Sequence, residues 1–254
     1  MRTMIVCVAL WASGSTRADV IANWQFDDGE PTHAASSLAT ETNAPALNAT
    51  ANRSDAVSKF PSFDADRPGT RIWSSCTGPL LNSTNAASLR FVNKDLPGNT
   101  NSSNGGFATV PDNPLLRATN LTVEAFLKVD RRVNYPLVVG KVRLGNNTSW
   151  NLDFDNSGRP RVRIDSNPTN TSSGSGWNQS WTAAVNVEDG KWHHVAFTYA
   201  HSTKALKLYV DYVLSASGTS FSNLVYEAGE LRIASGAGAR AFDGWIDEIR
   251  ISDS

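Results

Sequence analysis

The chain has 254 residues, of which 19% are charged and 40% hydrophobic, and its mean hydropathy is -0.31. These values exclude a disordered charged tail and a multi-span membrane protein. Lys and Arg number 23 against 24 Asp and Glu, so no global field recruits nucleic acid or an anionic membrane. Two cysteines cannot build a disulfide framework, and four histidines leave little for a His-rich metal centre.

Residues 1–18 read as a secretory signal peptide. Arg2 gives a basic start, Met4 to Trp11 form a short apolar run, and Thr16-Arg17-Ala18 offers a cleavage site before Asp19. The run is well short of the roughly 20 residues that span a bilayer, and no later stretch is long enough either. Cleavage removes Arg2 and Arg17 and no acid, taking the formal charge from -1 to -3, and leaves Cys76 as the lone thiol, expected to be buried. The expected location is secreted, extracellular or cell-surface, the periplasm included.

Residues 19–254 read as a single all-β domain. Val20 to Phe26 alternates weakly. Residues 30–85 carry little periodicity and are expected to form an irregular surface excursion. Short strands follow at Ser88 to Val92 and Phe107 to Val110. Leu121 to Val129 alternates cleanly, with Leu121, Val123, Ala125 and Leu127 on one face. Leu137 to Leu144, Trp150 to Asp155, Pro160 to Ile164, Trp181 to Val187, Trp192 to Tyr199, Leu206 to Leu214, Glu230 to Ala234 and Ala241 to Ile251 continue the series. Many short strands separated by turn chemistry describe a two-sheet antiparallel jelly-roll sandwich.

One hairpin is legible residue by residue. Asn156-Ser157-Gly158 suits a three-residue loop with Gly158 in the left-handed region. That register sets Asp155 opposite Arg159, Asp153 opposite Arg161 and Leu152 opposite Val162, so opposite charges meet on one face and apolar groups on the other.

A series of segments then carries a family resemblance. Asp189-Gly190-Lys191-Trp192-His193-His194-Val195-Ala196-Phe197-Thr198-Tyr199 is followed by Leu208-Tyr209-Val210-Asp211 and by Phe242-Asp243-Gly244-Trp245-Ile246-Asp247-Glu248-Ile249-Arg250-Ile251. With Leu121-Thr122-Val123-Glu124-Ala125-Phe126 and Ala22-Asn23-Trp24-Gln25-Phe26-Asp27 upstream, the chain resembles the laminin-G-like domains of the concanavalin A-like lectin/glucanase superfamily. The resemblance implies a concanavalin A-like jelly roll and, for many relatives, a carbohydrate or protein ligand. It departs at the turn after Val210, where Tyr212 stands in place of the usual glycine. A longer or differently shaped turn is expected there.

Glucanases of the superfamily set carboxylates on one strand face, typically as Glu-x-Asp-x-x-Glu. Glu124 has no such companions, and the adjacent Asp247 and Glu248 are expected to point to opposite faces. His193 and His194, as strand neighbours, face opposite ways and read as framework residues. In the superfamily the first and last strands pair and many members hold Ca²⁺ at that junction. The resemblance therefore makes Asp27, Asp28 and Asp247 candidate oxygen ligands of a structural calcium ion.

Sugars stack on exposed aromatic rings. Trp24, Trp192 and Trp245 lie within strand patterns and are expected in the core. Trp150, Trp177, Trp181 and Tyr209 are the candidates for a sugar platform. Residues 128 to 163 hold eight basic residues against three acids. Lys141, Arg143, Arg161 and Arg163 are thus candidates for an anionic glycan, against the alternative of a face laced with cross-strand ion pairs. The leading expectation is a secreted, non-enzymatic carbohydrate-binding or adhesion module, with a glycan or an extracellular protein as partner. A glycan hydrolase or lyase of the same superfamily and a purely structural surface protein are the alternatives.

Overall fold

The computed structural model describes residues 19–26, 47–53, 59–68, 87–93, 105–142, 148–165, 179–235 and 241–253. The leader, Cys76, Asp27, Asp28, Arg143 and Trp177 lie outside the described residues.

In chain order the strands are β1 (Asp19–Trp24), β2 (Thr50–Arg53), β3 (Ser62–Asp64), β4 (Ser88–Phe91), β5 (Gly106–Val110), β6 (Leu121–Val129), β7 (Leu137–Val142) and β8 (Thr148–Phe154). There follow β9 (Pro160–Ile164), β10 (Gln179–Thr182), β11 (Trp192–Ala200), β12 (Ala205–Val210), β13 (Val213–Thr219), β14 (Leu231–Ile233) and β15 (Gly244–Asp253). They form two antiparallel sheets. The first runs β13-β12-β11-β6-β15-β4-β3, with β1 also on β15; the second runs β10-β9-β8-β7-β14-β5-β2.

The period-two pattern places the core between the sheets. From the first sheet come Leu121, Val123, Ala125 and Leu127, with Val195, Phe197 and Tyr199 beside them. From the second come Trp150, Leu152 and Phe154, with Val162 and Ile164. Burial of such side chains contributes roughly 1.5–3 kcal/mol each, which is what holds the two sheets together.

Strand β15 links the termini. One of its edges follows β6; the other is shared by β4 along Gly244 to Ile246 and by β1 along Ile249 to Asp253. Between these stretches the register with β6 shifts, Asp247 pairing with Phe126 and Arg250 with Glu124. Glu248 adopts φ +49 in this bulge, and its amide donates to Asp247 Oδ1 at 2.8 Å. The extra residue resets the alternation, so that Ile246, Ile249 and Ile251 are all fully buried. Strict alternation at Asp247 and Glu248 is therefore replaced by a bulge.

Three further expectations are corrected. The 30–85 excursion is not irregular throughout, because its described residues include β2 and β3. Leu206 to Leu214 is two strands, not one. Val210 pairs directly with Val213 across a two-residue turn in which Asp211 and Tyr212 both have positive φ, +49 and +67. The turn is thus tighter than expected, and stacking of Tyr212 on His194 holds it (ring centroids 4.4 Å apart, planes 12° apart). Finally, Trp192 and Trp245 are not core. They share a cross-strand row with Lys128 on the outward face of the first sheet. Trp192 Nε1 donates to Asp66 Oδ1 at 2.9 Å, and Trp245 lies between the Arg90 guanidinium and the Lys128 ammonium, 4.4 and 4.8 Å from its ring centre.

Candidate functional site

The β8–β9 hairpin forms as its sequence dictates. Leu152 pairs with Val162 and Asp153 with Arg161, and Gly158 adopts φ +73. Asp155 Oδ1 accepts the amides of Ser157 and Arg159 at 2.8 and 3.0 Å, which closes the loop. With Trp150, Leu152 and Phe154 turned to the core, Ser149, Asn151 and Asp153 face outward.

Register then carries this polar face across the whole sheet. Ser180 pairs with Arg163, Arg163 with Asn151, Asn151 with Gly140, Gly140 with Arg232, Arg232 with Thr109, and Thr109 with Thr50. One row therefore crosses all seven strands. At its centre Gly140 presents no side chain; a Cβ built there would stand 2.1 Å from Asn151 Oδ1. Asn151 is 4% exposed and Ser149 fully buried, yet among the described residues Asn151 Oδ1 and Ser149 Oγ have no hydrogen-bond partner. A buried polar atom left unpaired costs roughly 1–3 kcal/mol, so such groups mark places where a water, ion or ligand hydroxyl completes the network. Arg232 lies over the Phe107 ring at 5.6 Å, and Arg161 over the Tyr135 ring at 5.1 Å. The face combines carboxamide, hydroxyl and guanidinium groups with two aromatic rings, which suits a hydroxyl-rich ligand.

Of the four rings expected to form a sugar platform, the three within the described residues are not brought together. Trp150 is wholly buried and packs edge-on against Phe197, because its position on β8 turns it inward. Trp181 is half-buried and closes the edge of the sandwich over Gly218, whose added Cβ would meet Trp181 Nε1 at 2.0 Å. Tyr209 is half-buried on the first sheet, opposite Ala196. These three rings lie in three separate places.

At Lys141, Arg161 and Arg163 the basic stretch takes the alternative of paired charge. Lys141 is fully buried, with its ammonium 2.8 Å from Asp112 Oδ1 and bonded to the Gly229 carbonyl. Burial pulls that ammonium below its ordinary pKa while Asp112 pulls back. Arg161 and Arg163 both bind the buried Asp153, Arg161 through Nε at 2.9 Å. Burial pushes the Asp153 carboxyl up, against the two guanidiniums.

Asp247 is fully buried and faces the Phe126 position of β6. The first and last strands do pair, as the calcium expectation requires. Among the described residues, however, no group of three His, Cys, Asp or Glu side chains gathers to hold a metal ion. The other two candidate ligands, Asp27 and Asp28, lie outside the described residues.

The two histidines separate as their strand positions require. His194 faces the outward side of the first sheet between Phe126 and Tyr212, with Nε2 3.1 Å from Glu124 Oε2; Arg250 pairs with the same carboxylate. His193 sits between Asp189 and Asp211.

Sequence reasoning missed Asn151, Ser149, Gly140 and Arg232. The alternation of Asn151 and Asp153 with Trp150, Leu152 and Phe154 signalled the outward face of β8. Nothing local signalled that Gly140 and Arg232 would lie beside it.

Two antiparallel sheets packed face to face, with their last strand joined to the first, define a concanavalin A-like sandwich. The family model Laminin_G_3, described as concanavalin A-like lectin/glucanases superfamily, matches residues 101–254, and the chain belongs to that family. Among solved structures it is similar to domain 4 of AbnA, a GH43 extracellular arabinanase from Geobacillus stearothermophilus in complex with arabinotriose. That likeness has a TM-score of 0.56 and 15% identity and covers 93% of each chain. It is also similar to the binding domain of Paraclostridial Mosquitocidal Protein 1, with a TM-score of 0.58 and 10% identity over 92% of this chain and 48% of that one. The binding domain of Botulinum Neurotoxin DC in complex with SialylT gives a TM-score of 0.57 and 11% identity over the same shares. The chain thus spans about half the length of the toxin domains. At these identities the likeness is one of fold. The comparison with curated proteins produced no match. Among the described residues no helix is long and apolar enough to cross a membrane.

Proposed function

We propose that the chain is a carbohydrate-binding module that holds a glycan without cleaving it and is exported behind the leader of residues 1–18. The row across the second sheet carries this reading, above all the buried and unpaired Asn151 Oδ1 beside Gly140, with the buried and unpaired Ser149 Oγ two residues along the same face of β8. Ligand hydroxyls that donate to these two oxygens would satisfy both. Family membership supports the ligand class, as do the arabinotriose and SialylT complexes of the similar structures.

Binding without cleavage is supported by the state of the two carboxylates on the hairpin. Asp153 Oδ1 accepts from Arg161 Nε, and its Oδ2 accepts from Arg161 and Arg163. Asp155 Oδ1 accepts two amides, and its Oδ2 accepts from the Arg159 guanidinium. All four oxygens are engaged, which leaves neither carboxylate positioned as the nucleophile or acid of a hydrolase.

A glycan array that includes arabino-oligosaccharides and sialylated glycans, run with and without Ca²⁺, tests the reading. Binding is expected, with Asn151→Ala weaker by about tenfold, the worth of one lost hydrogen bond. Full affinity in both Asn151→Ala and Ser149→Ala, or no binding to any glycan, would overturn it. The calcium staple is tested alongside. A Ca²⁺-dependent rise in Tm that Asp247→Ala loses supports it, and no effect of Ca²⁺ on the wild type ends it.

A further inference from the structure

His193 joins two turns that are far apart in sequence. Its Nε2 lies 2.9 Å from Asp189 Oδ1, in the turn before β11, and its Nδ1 lies 2.8 Å from Asp211 Oδ2, in the turn between β12 and β13. Asp211 also holds its own turn, since its Oδ1 accepts the His194 amide at 3.0 Å and its amide donates to the His194 carbonyl at 2.8 Å. That turn is strained, because two consecutive non-glycine residues, Asp211 and Tyr212, take positive φ.

An imidazolium donates from both nitrogens, whereas a neutral imidazole carries a single N–H. Neutral His193 therefore leaves one of the two carboxylates facing a ring lone pair at under 3 Å. We propose that His193 is a pH-dependent clasp, which bolts the Asp189-Gly190 turn to the Asp211-Tyr212 turn when protonated and releases one of them when it loses its proton.

The charged surroundings fit this role. Asp189 faces the ring from before β11, with the Lys191 ammonium 3.1 Å from its other oxygen. Asp211 faces it from the far turn, and the β6 neighbour is Leu127, which does not titrate. On the opposite side of β11, Glu124 and Arg250 are occupied with His194 and with each other. The bond to Asp211 holds His193 above its ordinary pKa despite burial. The bond from His193 holds the Asp189 carboxyl well below its usual range. Burial pushes the Asp211 carboxyl up, but its bonds from His193 and the His194 amide leave it lowered.

The sign follows from these directions. A raised histidine pKa means that the clasp is fully closed below about pH 6.5, the ordinary histidine value, and is lost as pH rises through the higher value of the closed state. The test is amide hydrogen exchange of Lys191 and His194 in the full chain from pH 5.5 to 9, corrected for the intrinsic rate. These amides donate to Asp189 and to Asp211 respectively. Exchange of at least one should rise by up to about tenfold per pH unit above pH 6.5 and then level off. His193→Gln, which cannot titrate, should show no step. Exchange in Asp189→Asn should still begin to rise near pH 6.5 but level off at lower pH with a smaller step, because one stabilising carboxylate charge is gone. Flat wild-type exchange, or the same step in His193→Gln, would overturn the proposal.

Discussion

The carboxamide of Asn151 occupies the space left by Gly140, with its Oδ1 2.1 Å from where a Gly140 Cβ would stand. No real Cβ tolerates that distance, so the two residues form one unit. Gly140→Ala should turn Asn151 away, cost about 1–3 kcal/mol by overpacking and weaken glycan binding. Calorimetric titration and thermal melting of the variant measure the two effects. Unchanged affinity together with a lowered Tm would separate the row from the binding site.

Asp243 is the second position where one change should be costly. Its wholly buried carboxylate takes Arg90 at 2.8 Å, Arg131 at 2.7 Å and the Asn93 amide at 3.2 Å, which ties β4 and its neighbouring loops to the start of β15. Asp243→Asn removes the anion between Arg90, which keeps Asp130, and the partly exposed Arg131, and should destabilise by about 1.5–3 kcal/mol, read as a lower urea midpoint. A loss below about 1 kcal/mol, the surface-pair range, would contradict this account.

At Tyr212 two effects oppose each other. Positive φ costs a non-glycine residue roughly 1–2 kcal/mol, while an aromatic stack such as that on His194 contributes about 0.5–1.5 kcal/mol. Tyr212→Gly should therefore change stability by less than about 1 kcal/mol. Tyr212→Ala keeps the strain and loses the stack, so it should be the less stable of the two by about 1 kcal/mol in chemical denaturation.

Asp155 supplies an acid limb to the stability profile. Burial pushes its carboxyl up, but two amides and the Arg159 guanidinium outweigh that and leave the pKa lowered. A depressed carboxylate pKa gives stability that is present above about pH 3.9 and lost as pH falls through the native value. The gap in urea midpoint between the wild type and Asp155→Asn should thus be wide at pH 6 and narrow at pH 2.5.

How much was legible depended on distance along the chain. The β8–β9 hairpin was readable to the residue, because the Asn156-Ser157-Gly158 loop fixes both its turn and its register. Tyr212 was misread because sequence shows the absent glycine but not the His194 ring waiting beneath it. Trp150 and Trp192 both sit in alternating strands. Only packing against the other sheet separates the first, which is core, from the second, which lies on the outward face beside Asp66.

The two-sheet sandwich, the faces of β6 and the ion pairs of one hairpin follow from the sequence alone. Side-chain alternation of period two and turn chemistry act over a few residues, and both are written in local order. The row from Ser180 to Thr50, the gap at Gly140 and the bulge that turns Ile246 and Ile249 to the same core were decided by tertiary structure. Each depends on the register of strands that are neighbours in space but far apart in the chain. A one-residue shift in any of them would turn a buried oxygen into an exposed one.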